Sequence, residues 1–207
     1  MRGKFIVFEG GNGSGKTTQI RLFNKYLVKK GVPVISTHGF GTKFGQIIKK
    51  IYLQFENNAL TPFTEALLLC STRSQLIDKL IIPSLKNGYI VLCDRFNLSI
   101  LAYYCCGLDL SVETLSFILQ SATRNLRPDL TILLDIDPVI ALGRIHQRDR
   151  FERLPLEFHA KVRDGFLKLV LKDNKTIIIS AEGSIDQIQL KIRDIALELI
   201  KEAESLV

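Results

Sequence analysis

FIVFEGGNGSGKTTQ, Phe5 to Gln19, carries the strongest structural signal in the chain. Phe5–Phe8 is a short apolar run of the kind that forms a buried strand. Four glycines follow within six positions, and a helical pattern then runs over Thr17–Lys30 and stops at Gly31. Gly10 to Thr17 fit the spacing G-x-x-x-x-G-K-[ST]. The glycines let the backbone curl until successive N–H groups point into one concavity, and the helix adds the positive end of its dipole. The residues expected to cradle a nucleoside triphosphate are Gly10, Gly11, Asn12, Gly13, Ser14, Gly15, Lys16, Thr17 and Thr18. Lys16 is placed to reach the β- and γ-phosphates, and the Thr17 hydroxyl to ligate Mg²⁺.

Outward from this loop, four more short apolar runs recur: Val32–Ile35, Tyr89–Cys93, Leu130–Leu134 and Thr176–Ile179. None alternates apolar with polar residues, so each can be buried on both faces, as in a parallel sheet. Helical patterns lie between them. Thr61–Lys86 opens at Thr61-Pro62 with Glu65 early and a break expected at Pro83. Ser111–Arg124 opens on a capping serine, and Ser184–Ala203 carries a stripe of isoleucine and leucine. Strand–helix alternation predicts an α/β fold built of βαβ units, with ligands at the carboxyl ends of the strands.

The chain has 207 residues, enough for one domain with a large core. Its 46% hydrophobic and 24% charged residues exclude a disordered chain or a disulfide scaffold. A net charge of +7 predicts an anionic partner. Cys70, Cys93, Cys105 and Cys106 have neither metal nor disulfide spacing, which suits reduced thiols. The expectation is a cytoplasmic protein with no targeting signal and no membrane partner.

The loop implies a bound triphosphate; the rest of the chain narrows its use. The D-x-x-G and N-K-x-D patterns of GTPase switches are absent. At the end of Tyr89–Cys93, Asp94 is suited to holding Mg²⁺ and Arg95 to forking onto a phosphate. Arg73, in an apolar helical stretch, is either ion-paired or a ligand contact. Tyr103 and Tyr104 can pack a nucleobase or the core. Arg144, Arg148, Arg150 and Arg153 fall within ten residues, with Arg144 and Arg148 on one helix face. They form either a solvated surface or a mobile lid bringing positive charge to a transferring phosphoryl group and excluding water. A monophosphate acceptor is already anionic near neutral pH and needs no general base, consistent with arginines in place of a triad. His38, His146 and His159 have no metal spacing. Arginines clustered in one short segment favour a small ligand over nucleic acid.

Phe8-Glu9-Gly10 through Thr18, Asp94-Arg95-Phe96 with Ser99 and Ala102-Tyr103, Arg127-Pro128-Asp129-Leu130, and Asp149-Arg150-Phe151-Glu152 together resemble the thymidylate kinase family over nearly the whole chain. The resemblance implies a P-loop NTPase three-layer fold with a five-stranded parallel sheet. It implies one domain over 1–207 with a lid at about 144–155. It also implies ATP and dTMP as substrates, Mg²⁺ and a homodimer. The uncharged phosphate loop and basic lid resemble the bacterial subtype, whose lid supplies a catalytic arginine. Arg150 is its first candidate, with Arg144 and Arg148 as alternatives beside Lys16 and Arg95. Glu9, Phe40, Leu69, Arg73, Arg95, Ser99, Tyr103 and Tyr104 are the expected acceptor contacts, and Thr17 and Asp94 the metal contacts. The family's R-E-P-G-G-T is Thr37–Thr42 here, and its stacking aromatic is Leu69. Phe40 or Tyr104 is expected to fill that space. The alternative acceptors are another nucleoside monophosphate or a deoxynucleoside, the latter with Glu9 as base.

Overall fold

Five parallel strands form one sheet in the order β2-β3-β1-β4-β5: β1 (Phe5–Glu9), β2 (Val34–His38), β3 (Ile90–Asp94), β4 (Leu130–Asp135) and β5 (Thr176–Ser180). The computed structural model describes residues 3–54, 60–171 and 173–204. Alternate side chains of β1 enter opposite layers, as the two-residue period of a strand requires. Ile6 and Phe8 pack with Phe23 and Leu27 of α1 (Lys16–Lys29) and with Ile188 and Ile192 of α9 (Ile185–Glu204). Phe5 and Val7 pack on the other face, with Leu76, Ile77 and Ile81. The result is the three-layer α/β architecture of P-loop NTPases.

The sheet is not uniformly buried. β1, β3 and β4 are enclosed, whereas the edge strands β2 and β5 are largely open to solvent. Ile178 is 49% exposed. An edge strand has a neighbour on one side only, so its apolar composition did not imply enclosure on both faces.

Topology positions the site. β1 leads through α1 across β3 to β2, while β3 leads back across β1 to β4. Neighbouring strands whose connections diverge leave a crevice at their carboxyl ends. Phe8 is in register with Asp94, and the Arg95 amide donates to the Phe8 carbonyl at 2.9 Å. The phosphate loop and the Asp94-Arg95 corner are therefore side by side.

Two helical expectations change. The run from Thr61 does not break at Pro83. It passes from α3 (Pro62–Leu76) through one π-helical turn (Ile77–Ile81) into α4 (Ile82–Lys86). Pro83 falls in the first turn of α4, where its missing N–H matters least. Arg144 and Arg148 share no helix face, because α7 (Pro138–Gly143) ends at Gly143 and residues 145–155 are irregular. Asp149 and Glu152 hold that course by exchanging side-chain acceptors, each amide donating to the other's carboxylate at 2.8 and 2.9 Å. Such local bonds compete with a helix. Pro155 then precedes α8 (Leu156–Val170). The remaining helices are α2 (Lys43–Gln54), α5 (Asn97–Leu101), which continues into a second π-helical turn (Ala102–Gly107), and α6 (Val112–Ala122).

Candidate active site

The phosphate loop takes the shape its glycines permit. Gly10, Gly13 and Gly15 have φ of 136°, 75° and 89°. A Cβ on Gly13 would lie 2.1 Å from the Ala141 carbonyl oxygen, so backbone of α7 closes directly on the loop. Gly15 caps α1 with no side chain, and the first turn contains no acid, which leaves the helix terminus free for an anion. Lys16 is buried, its Nζ donating to the Gly10 and Gly11 carbonyls (3.1 and 2.7 Å) and to Ser14 Oγ (3.1 Å). Burial first, and the Arg95 charge second, push its ammonium down to about 7. A bound polyphosphate reverses that cost by giving the charge a partner. The Thr17 hydroxyl donates to Asp94 Oδ2 at 2.6 Å.

A cavity of about 700 Å³ runs from Asn12 along the loop to Gln19 and is closed by Asp94, Arg95, Arg144 and Glu152, with Ser184 at the start of α9. Arg144 is the arginine of the 144–155 segment that reaches it. Its side chain also donates to the Ala181 carbonyl at 3.1 Å.

Arg95 lines the phosphate-loop cavity and two further cavities beyond it. Its φ of 64° is left-handed, a conformation that costs a non-glycine residue and persists only where its surroundings hold it. The hold is explicit. The guanidinium donates to the Gly10 carbonyl (2.8 Å), Ser99 Oγ (2.9 Å) and Asn12 Oδ1, and lies 5.3 Å from the Tyr103 ring centre. Burial alone would lower its pKa, but Tyr103 and the carboxylates of Asp94 and Glu9 reverse the sign and raise it. The Tyr103 hydroxyl closes the network on Asn12.

Beyond Arg95 lie two cavities that share Phe40, Arg73 and Arg95. One, about 620 Å³, adds Thr17, His38 and Asp94; the other, about 170 Å³, adds Asn12, Tyr52, Leu69, Ser99, Tyr104 and Phe151. Arg73 is 3% exposed. It donates to Thr72 Oγ1 and more weakly to the Phe96 carbonyl, while its Nε has no hydrogen-bond partner among the described residues. No carboxylate pairs with it among the described residues. Its guanidinium lies where a side chain on residue 39 would go: a Cβ on Gly39 would stand 2.0 Å from it. Phe40 and Tyr104 both line the acceptor side near Leu69, as does Phe151.

Three expected site residues lie elsewhere. Glu9 is fully buried and borders neither acceptor cavity. Its carboxylate accepts from the Phe96 and Ser99 amides and the Ser99 hydroxyl, so it braces the Asp94–Ser99 corner. Burial raises its pKa, and the hydrogen bonds from Ser99 and Phe96 oppose that rise. Arg150 does not reach the phosphate loop. It pairs with Glu65 at 2.5 Å and lies over the Tyr52 and Phe151 rings. Arg148 is exposed, and its guanidinium makes a long hydrogen bond to the Leu142 carbonyl, at 3.4 Å.

The sequence reading also missed partners. Glu65 reads as an ordinary first-turn acid of α3, yet it is 4% exposed. Glu152 accepts from Asn12 Nδ2 at 2.8 Å, joining the 144–155 segment to the phosphate loop. The signal for Glu152 lay in the acids interspersed among the arginines. Glu65 had no local signal.

This fold, with a glycine loop facing an Asp-Arg corner, defines a nucleotide-binding protein of the P-loop α/β class. The thymidylate kinase family model matches residues 8–192. Among similar proteins, a thymidylate kinase of Thermoanaerobacter sp. (strain X514) is 40% identical over 207 residues, 97% of this chain and 98% of that protein. One of Caldicellulosiruptor saccharolyticus is 38% identical over 205 residues, 97% and 99% of the two chains. One of Cutibacterium acnes is 37% identical over 195 residues, 93% and 96%. The chain belongs to the thymidylate kinase family.

Proposed function

We infer that the protein transfers the γ-phosphoryl group of ATP to the 5′-phosphate of dTMP, giving dTDP and ADP. The observation that carries this reading is the place of Arg95, which lines the phosphate-loop cavity and both acceptor cavities. A donor phosphate and an acceptor phosphate therefore meet at one cation.

An oxygen of the acceptor phosphate forms a bond to the γ-phosphorus as the bond to the β,γ-bridging oxygen breaks, and ADP leaves with that electron pair. The attacking oxygen is already ionised, so no proton has to be taken from it. What remains is positioning and charge neutralisation. The loop amides and Lys16 take the β- and γ-phosphates, Arg95 bridges to the acceptor phosphate, and Arg144 supplies positive charge from the 144–155 lid. Thr17 and Asp94 offer a hydroxyl and a carboxylate oxygen within 2.6 Å of each other beside the loop, hard donors that fit Mg²⁺. Those two residues would hold the ion, which when bound neutralises developing charge on the phosphate oxygens. Arg73 would donate to the thymine, with Phe40, Leu69, Tyr103, Tyr104 and Phe151 as walls.

The placement of Glu9 weighs against a deoxynucleoside acceptor. A hydroxyl nucleophile needs a base within reach, and the Glu9 carboxylate is buried and occupied. The reading extends to compartment and assembly. Four free cysteines suit a reducing cytoplasm. Among the described residues, no helix is long and apolar enough to cross a membrane. A homodimer would cover the exposed Phe63, Leu67, Val112 and Phe117 of the packed helices α3 and α6.

A matched assay with dTMP, dUMP, dCMP and thymidine tests the assignment. The expected result is turnover of dTMP above the other monophosphates and none of thymidine. Turnover of thymidine without dTMP would reject it.

A further inference from the structure

Between the acceptor pocket and the 144–155 segment lies a buried polar chain that none of the roles above uses. Glu65 Oε1 pairs with Arg150 at 2.5 Å, and Glu65 Oε2 accepts from the Tyr104 hydroxyl at 2.9 Å. The Tyr104 hydroxyl is in turn 3.0 Å from that of Tyr52. The Arg150 guanidinium lies 4.3 Å from the Tyr52 ring centre and 4.8 Å from that of Phe151. Four separate elements are joined this way: α2, α3, the second π-helical turn and the irregular segment.

We propose that Glu65 is a positioning residue: by holding Arg150 it latches the 144–155 segment shut over the acceptor pocket, so that acceptor binding and exclusion of water are one equilibrium. The inference rests on the dTMP kinase reading.

The geometry carries it in three ways. First, the latch sets the pocket wall. Phe151 follows Arg150 and stacks on Tyr52 at 6.2 Å with a 16° interplanar angle, edge-on to Tyr103 and Tyr104. With Arg150 released, Phe151 loses the guanidinium that covers its ring, and the side of the small acceptor cavity that it forms is free to move. Second, the segment has a tether at each end of the site. Arg150 binds α3 on the acceptor side, and Glu152 binds Asn12 in the phosphate loop. Two residues of opposite charge, two positions apart, thus span the place where the phosphoryl group must pass. Third, the latch is built to open. Among the described residues, Arg150 Nε and one terminal nitrogen are buried without a hydrogen-bond partner. Unmet donors penalise the closed state, and swinging the guanidinium into water recovers their hydration. A fully satisfied buried pair would lock the segment instead.

Glu65→Gln keeps the side chain's shape and an oxygen for Tyr104, and removes the charge that holds Arg150. The expected result is a rise in KM for dTMP of about tenfold, equivalent to ~1.4 kcal/mol, with kcat changed far less. ADP formed per dTDP formed should also rise above one, because water now reaches the bound ATP. Arg150→Met, at the half-buried end of the pair, should give the same pair of changes. Combining the two should add nothing further, since both remove one contact. A merely structural role would lower the melting temperature and kcat together and leave the ADP-to-dTDP ratio at one. That result, wild-type values of both readouts in either variant, or additive effects in the double variant, would overturn the latch. If Glu65→Gln does not fold, Arg150→Met decides alone. Wild-type enzyme that forms no dTDP would instead reject the kinase reading, which keeps the two failures apart.

Discussion

On the proposed reading the phosphate loop and the 144–155 segment both bring positive charge to a phosphate, and they do it with opposite materials. The loop uses backbone. Its shape follows from glycines at fixed spacing, and Lys16 is held by carbonyls five and six residues away in the chain. The segment uses side chains whose partners lie far off in sequence: Glu65 for Arg150, Asn12 for Glu152, Ala181 for Arg144. A backbone device is local and rigid, so it serves the invariant part of the reaction, the triphosphate. A side-chain device with distant partners can open and close, which on the proposed reading suits the part that must admit one molecule and release another.

If that contrast is right, damage to the loop should abolish turnover. Lys16→Ala should lower kcat by about 10²–10³-fold, the scale of losing one preorganised charge donor, with little change in melting temperature. Near-normal kcat would remove the loop from the mechanism. Gly13→Ala sharpens the same point through geometry. Its Cβ would meet the Ala141 carbonyl at 2.1 Å, and its φ is 75°. The expected cost is on the order of 1–3 kcal/mol of stability, read by denaturant melts, together with weakened ATP binding. An unchanged melt and unchanged ATP affinity would show that α7 does not press on the loop.

Damage to the segment should be graded by position. Arg144→Ala should lower kcat by roughly tenfold or more as transition-state charge loses a partner. Arg148→Ala should stay within about twofold, as substitutions at exposed, weakly bonded positions do. Equal losses in the two, measured in parallel steady-state assays, would mean that the segment acts as a diffuse basic surface and not through one placed arginine.

The same contrast explains what the sequence made legible. β1, the loop and α1 follow from spacing alone, and all five strands fall within a few residues of the apolar runs. Asp94 and Arg95 were recognisable because a strand end and the next residue are local facts. Edge exposure was not, because Ile177 and Ile178 belong to the same kind of apolar run as the enclosed Ile132 and Leu133. Only strand order tells them apart. The pairing of Arg150 was hidden for a related reason. Four arginines within ten residues reveal a positive segment, but the choice among them depends on which partner each meets, and Glu65 lies 85 positions away from Arg150. The contacts of Glu9 were equally hidden: it borders the glycine loop in sequence, yet its side chain turns to the Phe96 and Ser99 amides beyond the neighbouring strand.

The central claim is that two phosphates are brought end to end at Arg95. Following the label from [γ-³²P]ATP in the presence of Mg²⁺ and dTMP tests it directly. The account predicts radioactivity in the β-phosphate of dTDP, in step with ADP formed. Label recovered only as inorganic phosphate, with dTMP unchanged, would contradict it.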